Sequence, residues 1–95
     1  MILYPHLDVN QAGHLTVGGA DAVALAREFG TPTYILCEDV IRENCRTYLT
    51  AAKKAFGETA LPLYASKALC FTGIYRLVAE EGLGVVWTIR AFSTV

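Results

Sequence analysis

The chain has 95 residues, of which 54% are hydrophobic, 11% aromatic and 18% charged, with eight basic side chains against nine acidic ones. That much apolar material excludes a disordered tail, and the even charge balance, with no basic cluster beyond Lys53 and Lys54, excludes nucleic acid and anionic membranes as natural partners. A domain this small buries a modest share of its surface, so an apolar fraction above the usual ~45–50% predicts exposed apolar side chains.

Asp8 interrupts the opening apolar run and the first basic residue is Arg27, so no secretory leader is expected. Arg76, Glu80 and Glu81 bound the most apolar part of the second half, well short of the ~18 residues a membrane span needs. Cys37, Cys45 and Cys70 are odd in number and form no Cys-x-x-Cys pair, which speaks against a disulfide frame or a metal site and for reduced thiols in a cytoplasmic protein.

Residues 1–20 contain Pro5, Gly13, Gly18 and Gly19 and predict an irregular lead-in with one short strand at His14 to Val17. Ala22, Leu25, Ala26 and Phe29 then recur at helical spacing, with Asp21 placed to cap the first turn and Gly30 and Pro32 to end the helix. Thr33 to Cys37 is apolar and partly β-branched, too short for a stable helix, and predicts a buried strand. Ile41, Cys45, Tyr48, Leu49, Ala52, Ala55 and Phe56 form the stripe of a second helix that ends near Gly57. Ala60 to Ala65 predicts a strand, residues 70–81 a helix closed by Gly82, and Gly84 to Ile89 a last strand. Strands alternating with helices at this spacing are the mark of parallel βαβ units, hence an α/β class. Both an open doubly wound sheet and the start of an eight-stranded (β/α) barrel share the alternation, and a whole barrel needs ~250 residues.

Lys67 stands out, in Tyr64-Ala65-Ser66-Lys67-Ala68, between an apolar strand and a helix. Ligand sites of parallel α/β folds gather at such strand ends, and a lysine held there against apolar walls is driven toward the neutral amine that attacks an aldehyde. On position alone, a solvated lysine at a strand-to-loop junction is the better account.

Further residues shift that balance. Leu15-Thr16-Val17-Gly18-Gly19-Ala20-Asp21, Glu28-Phe29-Gly30-Thr31-Pro32-Thr33-Tyr34 and Tyr64-Ala65-Ser66-Lys67-Ala68 follow in this order. Together with Glu38 to Arg46 and Ala79 to Gly84, they resemble the amino-terminal part of diaminopimelate decarboxylases, in the alanine racemase-like barrel group, over residues 13–84. The resemblance implies a partial TIM barrel of about three βα units and a pyridoxal-phosphate enzyme converting meso-2,6-diaminopimelate to L-lysine, the last step of lysine biosynthesis. It matches Lys67 to the cofactor lysine, places Tyr64 and Ala65 beside the cofactor, and implies an amino-acid substrate and a homodimer. No metal is implied.

Two departures accompany it. Residues 85–95 lack the aspartate-bearing strand and Ser-Gly-Gly-Glu turn usual in the family, so a shifted reading frame or a shortened gene is expected, as is inactivity of these 95 residues alone. A lysine without its phosphate cradle lacks orientation, and a misplacement of about 1 Å costs ~100-fold in rate. Cys37 stands where the family often has a capping aspartate. The rival readings are a non-catalytic α/β interaction module and a relative acting on ornithine or arginine.

Other features have plainer roles. Gly18-Gly19 and Gly82-Leu83-Gly84 fit turns and helix ends better than phosphate loops. His6 and His14 are expected to be solvated, and Glu80 and Glu81 to lie on a wet helix face. Cys70, three residues beyond Lys67, could approach the same site but needs no catalytic role, and Trp87 is expected in a core or on exposed apolar surface.

Overall fold

The computed structural model describes residues 4–86, and the chain divides into two compact units, residues 1–40 and 41–95. Trp87 and most of the divergent tail lie outside the described residues, as does the second half of the expected last strand.

In the first unit, β1 (Leu7–Val9), β2 (Leu15–Val17) and β3 (Ala20–Asp21) form an antiparallel sheet in that order. The expected strand is β2; β1 and β3 flank it where an irregular lead-in was expected. Strands of three and two residues are too short to display an alternating pattern, and turn chemistry sets their register instead. Asn10 Oδ1 accepts the backbone N–H groups of Ala12 and His14 and so closes the β1–β2 turn. Gly18 and Gly19, at φ +57° and +84°, make the two-residue turn that pairs Val17 with Ala20. Gly18 has a further reason to be glycine: a Cβ there would sit 2.9 Å from Cys37 Sγ.

Helix α1 (Ala22–Phe29) begins as expected at Asp21, whose Oδ1 accepts from Val23 and Ala24 backbone N–H groups at 2.8 and 3.2 Å. It ends at Gly30, at φ +85°. Thr33 to Cys37 corrects the sequence reading: the segment forms no strand, and Tyr34, Ile35 and Leu36 are exposed. An apolar run becomes a strand only when a neighbouring backbone bonds to its N–H and C=O groups, and no ladder among the described residues includes this one.

Helix α2 (Glu38–Phe56) lies almost wholly in the second unit, followed by β4 (Leu63–Ala65), a single 3-10 turn (Ser66–Ala68), α3 (Thr72–Glu80) and β5 (Gly84–Val86). Strands β4 and β5 pair in parallel, Leu63 with Gly84, Tyr64 with Val85 and Ala65 with Val86, with α3 as the crossover, which bears out the βαβ expectation for this pair, whereas β2, also expected to be parallel, pairs antiparallel with both its neighbours. The fold is mixed α/β, without a closed barrel among the described residues. Gly82, at φ +91°, ends α3, and the Leu83 N–H returns to the Val78 carbonyl at 3.1 Å, which turns the chain into β5.

The core consists of Cys45, Ile74 and Val78, with Ile41, Tyr64, Tyr75, Leu83 and Val85 packed against it. One sheet face, through Tyr64 and Val85, is thus covered by helices, whereas Leu63, Ala65 and Val86 on the other are exposed. The expected stripe of α2 is only partly covered, since Cys45 is buried while Tyr48 and Phe56 are exposed.

Glu81 departs from the expected wet face. Its carboxylate accepts from Arg42 Nη1 at 3.0 Å and from Arg46 Nε and Nη2 at 2.9 Å, joining α2 to the end of α3. Those guanidinium bonds, Arg46 first, hold its carboxyl below the usual glutamate range. Adjacent helix residues point in different directions, so Glu80 stays half-exposed while its neighbour turns inward to two arginines.

Candidate functional site

Strand β4 ends at Ala65, and the chain tightens at once into the 3-10 turn that carries Lys67. Lys67 therefore lies just past the carboxyl end of a parallel strand, where the sequence places it. Its side chain is exposed and has no ion-pair partner among the described residues. The apolar walls expected to strip water from the amine are not built around it here, because the turn leaves the sheet into solvent.

Two side-chain hydrogen bonds hold the turn. Tyr64 Oη donates to the Leu69 carbonyl at 3.1 Å, and Cys70 Sγ donates to the Ser66 carbonyl at 2.7 Å. Tyr75, on α3, packs against the core, and its ring centroid lies 6.4 Å from that of Tyr64. Cys70, then burial, pushes the Tyr75 hydroxyl above its ordinary pKa. Ser66 is buried, at 4% exposure, and no described buried side-chain polar atom lacks a partner.

Tyr64 and Ala65 occupy opposite sheet faces, Tyr64 toward the helices and Ala65 toward solvent. Tyr64 thus supports the turn from beneath, and the two residues expected to flank a cofactor are not brought together by their side chains. Sequence reasoning missed the bonds that hold the turn, because Tyr64 and Cys70 donate to the backbone carbonyls of Leu69 and Ser66, which residue identity does not mark. Only the four-residue spacing of Ser66 and Cys70 offered a local signal.

An apolar cavity of about 430 Å³ adjoins the turn, lined among others by Ile41, Cys45, Tyr48, Tyr64, Ala68 and Ile74. Cys45 belongs to the core, and burial above all, then the Glu81 charge, raises its thiol pKa.

In the first unit, His14 is paired, not free in solvent: its Nδ1 lies 2.9 Å from Asp21 Oδ2, which also accepts from Asn10 Nδ2 at 3.0 Å. The β2–β3 hairpin brings His14 and Asp21 together, a pairing their seven-residue separation did not reveal. These bonds, His14 foremost, lower the Asp21 pKa from 3.8 to about 2. Among the described residues no group of three or more His, Cys, Asp or Glu could hold a metal, and no helix is long and apolar enough to cross a membrane.

No protein-family model matches the chain. Among curated proteins it is 42% identical over 83 residues to a diaminopimelate decarboxylase of Methanothermobacter thermautotrophicus, covering 87% of this chain and 19% of that one. The enzyme of that name from Bacillus subtilis is 40% identical over 90% of this chain, and that from Synechocystis 35% over 92%, each again matched over 19% of its own length. The chain thus spans about a fifth of the length of the curated relatives it matches. Along most of its sequence the chain is thus similar to a short stretch of diaminopimelate decarboxylases.

Proposed function

We propose that the chain carries the cofactor-lysine segment of a pyridoxal-phosphate-dependent diaminopimelate decarboxylase, with Lys67 as the amine that condenses with the cofactor aldehyde. The observation that carries this reading is the Tyr64-Ala65-Ser66-Lys67-Ala68 block on a turn at the end of a parallel strand, in a chain related to that family. The residues fit the aldehyde end of the group: a primary amine must be unpaired and reachable to attack a carbonyl, and Lys67 is both among the described residues. Tyr64 and Cys70 would hold its backbone still through the Leu69 and Ser66 carbonyls, while Ala65, exposed and small, leaves room beside it.

Pyridoxal phosphate, when bound, supplies a ring that accepts the electron pair left as carbon dioxide departs from meso-diaminopimelate. The chain's own share is to present the Lys67 Nζ and to return it to the same place after each exchange with substrate amine. The β4–α3–β5 unit is one βα repeat of an amino-terminal eight-stranded barrel, residues 1–95 form its first part, and the whole protein works as a cytoplasmic homodimer. Substrate binding and decarboxylation belong to that whole, and the 95 residues alone do not turn over.

The test uses the chain's three lysines as mutual controls. The chain is incubated with pyridoxal phosphate, reduced with borohydride and mapped by mass. Nζ joins the aldehyde carbon with loss of water, and hydride then fixes the product as a secondary amine. Label is expected in clear excess at Lys67 over Lys53, which is within 3.7 Å of Glu58, and over Lys54, and no carbon dioxide is released from diaminopimelate. Equal labelling of all three would overturn the assignment of Lys67, and carbon dioxide release would overturn the inactivity of the chain alone. The exposed Leu61, Leu63 and Val86 favour a second reading, an interaction module, which predicts equal labelling together with a defined self-associated or partner-bound state.

A further inference from the structure

We propose that Tyr64 and Cys70 act as one hydrogen-bonded clamp that positions Lys67, and that Tyr64 serves the reaction through this clamp and not as a contact of the cofactor. The inference rests on the reading of Lys67 as the condensing amine. A three-residue 3-10 turn has poor hydrogen-bond geometry and little persistence of its own. Ala65, at its start, offers no side-chain cap, and the chain leaves the turn at once, since Leu69 is already extended at φ −159° and ψ 112°. What keeps the turn in place therefore comes from the side chains on either side of it.

Tyr64 Oη donates to the Leu69 carbonyl at 3.1 Å, and Cys70 Sγ donates to the Ser66 carbonyl at 2.7 Å. The first bond closes residues 64–69 into a loop and the second residues 66–70, so the two loops overlap and Lys67 lies inside both. Ordering the shared residues for one bond lowers the entropy cost of the other, which couples them. Tyr64 also carries the clamp into the core. Alternation along β4 turns it to the helix-covered face, where its ring packs against Cys45, Ile74 and Val78 and lies 6.4 Å from that of Tyr75. Its hydroxyl is engaged by Leu69, whereas Lys67 is exposed and open to an incoming aldehyde. An aldehyde-condensing lysine needs a fixed backbone origin even when its side chain is in solvent, since orientation of the reacting atoms carries much of the rate.

The experiment compares the full chain with Tyr64→Phe, which keeps the ring, with Cys70→Ala, with Cys70→Ser, which keeps a donor to the Ser66 carbonyl, and with Tyr64→Phe and Cys70→Ala combined. Two quantities are read: amide hydrogen exchange of residues 66–70 against that of α3, and the ratio of reductively trapped pyridoxyl label at Lys67 to that at Lys54. Loss of one such bond is expected to speed exchange in the turn and to cut the label ratio, each about fivefold, in Tyr64→Phe and Cys70→Ala, with recovery in Cys70→Ser. Coupled bonds share their benefit, so the double variant is expected to lose about tenfold; a loss of about twenty-fivefold, the product of independent effects, would overturn the single clamp. Unchanged α3 exchange shows that the fold is kept; should Tyr64→Phe unfold, the Ala and Ser variants of Cys70 decide alone. Faster exchange in the turn with an unchanged label ratio marks a merely structural role and overturns positioning, while the reading of Lys67 stands. A parent chain with no preference for Lys67 overturns that reading and this inference with it.

Discussion

Replacing Val78 by alanine tests the part of the fold on which the Lys67 turn depends. Val78 is 1% exposed and lies with Cys45 and Ile74 at the centre of the core against which Tyr64 and Tyr75 pack. Two methyl groups leave the core, worth ~1.6 kcal/mol at ~0.8 per group, and the ~50 Å³ they vacate adds up to ~1.2 kcal/mol. Two effects reduce that total. Alanine favours the helix by ~0.5 kcal/mol, and Val78 already borders the apolar cavity, so the new void opens into existing space. A net loss of ~2 kcal/mol follows, which for a chain of this size is a large part of its stability. With a urea slope of ~1 kcal/mol/M, the midpoint followed by far-ultraviolet circular dichroism should fall by ~2 M. Phe56→Ala, at a side chain 83% exposed, serves as control and should change stability by less than ~0.5 kcal/mol. Equal shifts for the two variants would refute the placement of the core between α2, α3 and the β4–β5 pair.

Asp21 makes the first unit acid-sensitive in a defined window. Its folded pKa is depressed, from 3.8 to about 2, so the stability it contributes is complete above 3.8 and is lost as pH falls through about 2. An NMR titration of α1 and the hairpin should show this loss, and Asp21→Asn should flatten it; an unchanged acid profile in the variant would place the sensitivity elsewhere. Gly84 faces Leu63 across the parallel pair, and a Cβ added there would lie 2.6 Å from Leu63 Cδ2. Because that atom is the end of a flexible side chain, Gly84→Ala should cost ~1 kcal/mol in urea unfolding, with most of the cost removed on a Leu63→Ala background. Strictly additive effects would show that the two side chains do not compete for that space.

The helices and the position of Lys67 were legible in the sequence because their causes are local. Asp21 and Gly30 delimit α1, and Gly57, at φ +98° just past α2, ends the long helix where the periodicity does. The Lys67 block follows an apolar run and precedes a helical one, which suffices to set it at a strand end. The relationship to the decarboxylases was likewise carried by short blocks in register, which depend on residue identity alone.

Tertiary structure decided what depends on a partner distant in the chain. Thr33 to Cys37 has the composition of a buried strand and is none, because pairing needs a neighbour that composition does not supply. Glu81 looks like surface until Arg42 and Arg46 arrive from α2, 39 and 35 residues earlier. His14 and Asp21 meet only through the hairpin, and the Tyr75 ring comes beside that of Tyr64 only once α3 folds back on β4. Periodicity, caps and turn residues act within a few positions, so the residues themselves determined the elements and their order. Hydrogen bonds and ion pairs act at about 3 Å, so which side chains hold the lysine turn was decided by the folding that brought them within reach.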